Sequence, residues 1–432
     1  MNSDLQDINI NINYVLQALK TIFAADTKFI EHNIKYDYMM LRRIGIEIPA
    51  IHFDTMLAAF ECYGDMEFFN LSHLSKTFLH KHIKSYKEVV KKDKTFLELP
   101  LIEMVKHGCQ DADMTLQLYH ILKVELLNRG ILGQFEKNVL PKIKLLGEME
   151  YQGVKVATTK LLQLRESLIS KIVKLRESIH ASFGIKFDLD SQKELAVLLK
   201  EDLDLKMLIG SQSITISLLQ SLAISTPSIQ NIVKYKQYSK ELKALDLILK
   251  AVKKNRIYPT FNQIRTKYGQ LHSKNPSLFE LETVNINSCF DDILNPFFRD
   301  HNRTFTTLAR ISGDKKLIAD YQECWSSLVK LQPLLQRIDV EELIFSIVIG
   351  ESDFKLSRKL MLDRVGLSMV YHDIEMRYPR LFEWKDAFCR ETLKQGYVSL
   401  NNQKKYLSGL LSSNLEKKNK ALIIAIKWAI QY

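Results

Sequence analysis

The stretch from Phe297 to Gly350 constrains this chain most, because two apolar helix-like runs are closed there at defined places. Phe297 and Phe298 read as a strand-like approach and a polar turn follows. One apolar run ends at Ser312-Gly313-Asp314, and a second, Leu343 to Ile349, is closed by Gly350. Glycine after an apolar periodic run marks a helix stop. The stretch carries none of the clustered acids, bases or nucleophiles that would mark a catalytic centre. A chain of 432 residues can bury a large core and divides into two to four domains of ordinary size.

Charged residues make up 26% and apolar ones 46%, the balance of a soluble globular protein rather than a disordered one. The formal charge of +11 suits a polyanionic partner, with a general lysine-rich bias as the bland alternative. No run of about 18 consecutive apolar residues is present, which argues against a membrane span. Cys62, Cys109, Cys289, Cys324 and Cys389 lie too far apart for a zinc knot or a disulfide framework, and they read as reduced thiols. Met1 to Asn11 is acidic and polar, unlike a secretory signal.

Along the chain, Val15, Leu16, Leu19, Ile22 and Phe23 recur at helical spacing. His32 to Leu41 reads as an extended piece turning into a helix, with Asp37 near its start. Asp54 opens another helix, where a carboxylate satisfies free amides. A third runs from about Leu101 to Gly130 and carries Asp111 and Asp113. These four acids are each explained as helix caps; together they offer the hard oxygen ligands that a divalent ion needs. A helix stopping at Gly153 leads into a long one, in which Leu164-Arg165-Glu166-Ser167 recurs as Leu175-Arg176-Glu177-Ser178. Eleven residues is about three helical turns, so one face is presented twice to an antiparallel neighbour. Between Ile229 and Lys254, apolar residues on one side are surrounded by Lys234, Lys236, Lys240, Lys243, Lys250, Lys253 and Lys254. Such lysines form a solvated face or meet phosphates without sequence preference. Strand propensity follows at Ile257 to Gln263, with a loop at Thr266 to Ser273. The final helix, Lys417 to Tyr432, has no capping residue.

Several separated strings resemble bacterial DNA polymerase I, the family A polymerases with their 3′–5′ exonuclease domain. His32-Asn33-Ile34-Lys35-Tyr36-Asp37 is similar to the second exonuclease motif, with Asp37 at its metal-binding aspartate. Gln110-Asp111-Ala112-Asp113-Met114-Thr115-Leu116 resembles the third, with Asp111 as metal ligand and His107 where a tyrosine is expected. The first motif, Asp-x-Glu, has no counterpart before His32. Met149 to Val154 resembles the start of the thumb. Phe261 to Pro276 resembles the thumb-to-palm junction, with Gln270 in place of an arginine that contacts the primer. Leu308 to Leu317 resembles the end of the first palm motif, which places its catalytic aspartate at Arg299, or at Asp300 if the register slips by one, and its glutamate at Thr304. Arg337 to Gly350 resembles the fingers helix: Arg337 and Phe345 match, while Glu341 stands for a lysine and Ile349 for a tyrosine. The step from Gly350 to Arg377-Tyr378-Pro379 agrees with the family, and Lys394 to Gln431 resembles the approach to the last palm segment, ahead of its His-Asp-Glu string.

The resemblance implies an α+β, predominantly helical fold. A ribonuclease H-like exonuclease remnant at 1–130 precedes a helical thumb at 131–265 and an incomplete palm and fingers at 266–432. Two-ion phosphoryl transfer needs carboxylates that hold both ions, and a glutamate facing a triphosphate reverses the required charge. The expectation is therefore a degenerate, non-catalytic relative that requires no cofactor and binds DNA through Lys234, Lys240, Lys243, Lys267, Gln270 and Lys274. One alternative is a residual exonuclease using Asp37 and Asp111 with Mg²⁺ or Mn²⁺, helped by Asp54 or Asp113. Another is a protein-interaction subunit, completed by a second polypeptide through Leu422, Ile423, Ile426 and Ile430 of the last helix. A cytoplasmic, nucleoid-associated location without membrane contact accompanies the DNA-binding expectation.

Overall fold

The computed structural model describes residues 11–24, 27–48, 50–90, 98–201, 219, 227–264, 271–279, 286–290, 301–322, 340–360, 363–400 and 403–431. It is predominantly helical with short strands, the α+β class expected. The chain forms two compact units: Met1–Gly153 with Thr260–Leu271 and Gln395–Ala421, and Val154–Pro259 with His272–Lys394 and Leu422–Tyr432.

In the first unit, α1 (Ile12–Ala24) precedes strand β1 (Phe29–Glu31), which pairs in parallel with β2 (Ile51–Asp54) and sets Glu31 opposite Asp54. Between the strands runs α2 (Ile34–Arg43); after them come α3 (Thr55–Cys62), α4 (Leu101–Asn128) and α5 (Leu140–Gln152). The core gathers Ile34, Phe53, Leu57, Phe60, Leu118, Leu122, Leu126 and Phe135. All the buried residues of α4 fall between Met114 and Leu126, recurring at three- and four-residue steps on one face.

The packing of α2 on α5 needs Gly147, where a Cβ would stand 2.6 Å from Tyr38 Cδ1. Around that approach Glu148 accepts from the Tyr38 hydroxyl and, at 3.0 Å, from Arg42 Nε. Glu150 accepts from Lys35 Nζ and from the Phe261 amide. The late hairpin Tyr397–Leu400 with Gln403–Tyr406 also belongs to this unit. Asp65 Oδ2 receives the Ser408 hydroxyl at 2.7 Å and the Gly409 amide at 2.6 Å, while the Arg129 guanidinium lies over both Tyr63 and Tyr406.

The second unit begins with β3 (Val154–Lys155), antiparallel to β4 (Arg256–Ile257), and with the helices α6 (Thr158–Phe183), α7 (Gln192–Glu201) and α8 (Pro227–Ala251). Arg165 Nε donates to Asp246 at 2.6 Å and Arg176 Nη2 to the Tyr235 hydroxyl at 3.1 Å, so α6 and α8 run antiparallel. Both arginines come from the eleven-residue recurrence, and both face α8 as that spacing requires. His272–Lys274 is a strand, which corrects the loop expected to reach Ser273.

Among the described residues six further helices follow: α9 (His301–Ser312), α10 (Lys315–Gln322), α11 (Val340–Ile349), α12 (Asp353–Leu360), α13 (Arg364–Arg377) and α14 (Pro379–Gln395). They share a core with Phe305, Leu343, Ile344, Ile347, Val370, Ile374 and Tyr378. The last helix, α15 (Leu415–Gln431), contributes Ile426 and Ile430 to that core. Leu422 and Ile423 are half-buried. The exposed apolar face that motivated a second polypeptide there is therefore largely spent inside the unit.

Candidate functional site

The acids of the first unit fall into three situations. Asp54 is fully buried and caps α3: its Oδ1 accepts from the Leu57 amide and its Oδ2 from the Ile34 amide, each at 2.9 Å. Burial, partly offset by these amides, pushes its carboxyl up to about 6. Asp37, in the first turn of α2, is half-buried, and burial raises it as well. Asp111 and Asp113 lie inside α4 and cap nothing: Asp111 faces His107, with Nδ1 3.6 Å from Oδ1, and Asp113 accepts both bonds from Gln117 Nε2. Burial raises Asp111, with His107 opposing.

Sequence reasoning passed over Glu31. It ends β1 beside Asp54, and desolvation of its carboxyl, then the charges of Asp37 and Asp54, push it up to about 7. Only the strand register could have revealed that neighbourhood. Next to it, His32 Nδ1 hydrogen-bonds Thr55 Oγ1 at 2.9 Å, and burial pushes the ring down to about 4.

A hard cation takes several carboxylate oxygens, and both oxygens of Asp54 are engaged by amides. Among the described residues no three His, Cys, Asp or Glu side chains converge as ligands.

On α8, Lys234, Lys240 and Lys243 are exposed, as is Lys250. None of the four has an acidic partner among the described residues, whereas Lys236 lies 3.9 Å from Asp190. Lys240, Lys243 and Lys250 share one face of the helix. Lys234 is nine residues from Lys243, about two and a half turns, and projects from the opposite side. Lys274 is exposed in its short strand. Lys267 and Gln270 lie outside the described residues.

Arg299, Asp300 and Arg337 also lie outside the described residues. Thr304 falls in the first turn of α9 and Glu341 in the first turn of α11. Phe345 is half-buried against the core and Ile349 is 3% exposed within it. Lys385 Nζ donates to the Ile347 carbonyl at 2.8 Å, at the end of α11. Among the described residues no helix is long and apolar enough to cross a membrane.

Residues 158–432 match the DNA polymerase family A and residues 4–127 match a 3′–5′ exonuclease family. DNA polymerase I of Treponema pallidum (strain Nichols) is 28% identical over 450 residues, covering 97% of this chain and 45% of its own length. DNA polymerase I of Borreliella burgdorferi is 28% identical over 452 residues, covering 98% and 49%. The chain thus spans about half the length of the curated relatives it matches. A solved structure of the polymerase domain of Pol1 from M. smegmatis, in complex with DNA primer-template and dNTP, superposes with a TM-score of 0.65 at 20% identity. That match covers 96% of this chain and 75% of the other.

Proposed function

The chain belongs to DNA polymerase family A, and on that premise we propose that it is a non-catalytic member that binds DNA through charge, without reading sequence. The observation that carries the binding is the face of Lys240, Lys243 and Lys250, three exposed ammonium groups on one helix with no acidic partner among the described residues. Such a face meets a phosphate backbone by displacing condensed counterions, a gain that any sequence supplies. Lys274, and Lys267 and Gln270 before it, are further contacts on this proposal.

The absence of catalysis rests on the residues at the motif positions. Arg299 and Thr304 carry no carboxylate where metal-holding and sugar-selecting acids are expected. Glu341 would repel a triphosphate, and Ile349, packed among apolar neighbours, offers it no hydroxyl. A register that places Asp300 at the catalytic position would still leave that charge reversal at Glu341.

The experiment measures binding to duplex, primer–template and single-stranded DNA across salt, with primer-extension and 3′-nucleotide-release assays on the same preparation. Salt-dependent binding with neither activity is the expected result. Template-directed extension abolished by Asp300→Asn would overturn the non-catalytic proposal. Manganese-dependent nucleotide release abolished by Asp37→Asn would do the same.

A further inference from the structure

The N-terminal half of α4 is covered on one side only, where Met104, His107, Gln110 and Asp111 are half-buried. From Leu101 to Asp113 no residue is buried, although the same helix buries one face fully from Met114 onward. A helix of that length is marginal in water without tertiary packing. Its outer surface nevertheless carries a continuous stripe of Leu101, Val105, Cys109, Ala112, Leu116 and His120, spaced by three and four residues. Leu101 is 41% exposed, Val105 50% and Leu116 49%. Beside the stripe, a Cβ added to Gly108 would meet nothing within 4 Å.

We propose that this stripe pairs two copies of the chain, antiparallel, about a two-fold axis between Cys109 and Ala112. The order of sizes along it is self-complementary. Small residues, Gly108, Cys109 and Ala112, occupy the middle, where two helices approach most closely. Antiparallel pairing about that axis sets Val105 against Leu116 of the second copy and Leu101 against its His120, as a two-fold interface requires. One edge of the stripe carries Lys106 and Asp113, seven residues apart and both exposed. The same axis brings Lys106 of each copy to Asp113 of the other, so the edge charges are complementary twice. Asp113 already accepts Gln117 Nε2 through both oxygens, which fixes its carboxylate on that edge. Asp111 lies on another side of the helix, facing His107, and takes no part.

The paired stretch is about 30 Å of helix, a small interface, so association in the micromolar range is expected. The proposal does not depend on DNA binding, and its test uses none. Sedimentation equilibrium of the whole chain across the micromolar range should show the mass rising from 50.2 kDa toward twice that value. Leu116→Glu should leave the chain monomeric with an unchanged circular dichroism spectrum, since this side chain is half-exposed. Lys106→Asp should weaken association by about tenfold, and adding Asp113→Lys to the same chain should restore it. A thiol-specific bifunctional reagent should join the two copies through Cys109, and Cys109→Ser should abolish that product. A chain monomeric at every concentration, or a dimer indifferent to both Leu116→Glu and the charge exchange, would overturn the proposal. Failure of Asp113→Lys to rescue Lys106→Asp would overturn the antiparallel register.

Discussion

Arg377 grips Asp320 through Nε at 2.5 Å and Nη2 at 2.7 Å, and the Tyr378 hydroxyl closes the same carboxylate at 2.6 Å. The bond ties α10, which follows the Ser312-Gly313-Asp314 turn, to the end of α13 at Tyr378-Pro379. The helix that follows one family-like string, Leu308 to Leu317, is therefore tied to another such string at Arg377-Tyr378. Their residues support the fold whether or not any nucleotide is ever bound.

Removing one partner of that buried pair leaves the other charge without compensation. Arg377→Met is expected to destabilise the second unit by about 3–5 kcal/mol in urea unfolding. Burial works against the Asp320 charge, but Arg377 and Tyr378 hold its carboxyl below the usual range. This contribution is present above the unfolded carboxyl's value and is lost as pH falls through the folded one. Wild type and variant should therefore converge in strong acid.

Gly147→Ala is expected to cost about 1–3 kcal/mol, despite the better helix propensity of alanine, because the new methyl overlaps the Tyr38 ring. A double-mutant cycle checks the cause. In a Tyr38→Ala background the same substitution should cost nothing, and an unchanged cost would place the strain elsewhere.

Glu31 is raised to about 7, so it binds a proton more readily in the folded chain than in the unfolded one. Its contribution is fully present below about 4.5 and is lost as pH rises through 7. Asp54, raised to about 6, acts in the same sense, and His32, lowered to about 4, acts in the opposite one. Subtracting the pH–stability curve of Glu31→Gln from that of the wild type isolates the first effect. The difference should fall between pH 4.5 and 7 and be flat above.

Replacing Lys240, Lys243 and Lys250 together by glutamine should weaken duplex binding at low salt. The slope of log affinity against log salt should fall by about 0.9 for each phosphate that the chain no longer neutralises. Lys234→Gln alone should change neither, because that side chain points away from the shared face. Fluorescence anisotropy with one labelled duplex measures both.

The long helices were legible in the chain because apolar spacing and glycine stops are local properties. The recurrence at Leu164 and Leu175 foretold a helix face, and Arg165 and Arg176 occupy it against α8. Asp54 as a helix cap was equally local, since a cap bonds amides of its own next turn. Asp111 and Asp113 stand inside a helix and cap nothing; the partners they meet, His107 and Gln117, are as local as a cap, four residues away on α4.

The sequence by itself determined the helical segments and the order of the family strings. Tertiary structure decided what no spacing contains. The β1–β2 register set Glu31 beside Asp54, the core of the second unit took up Ile426, Ile430 and Ile349, and packing only half-covered one side of the N-terminal half of α4. Periodicity fixes which residues share a face of one element; burial and proton affinity depend on which other element covers that face.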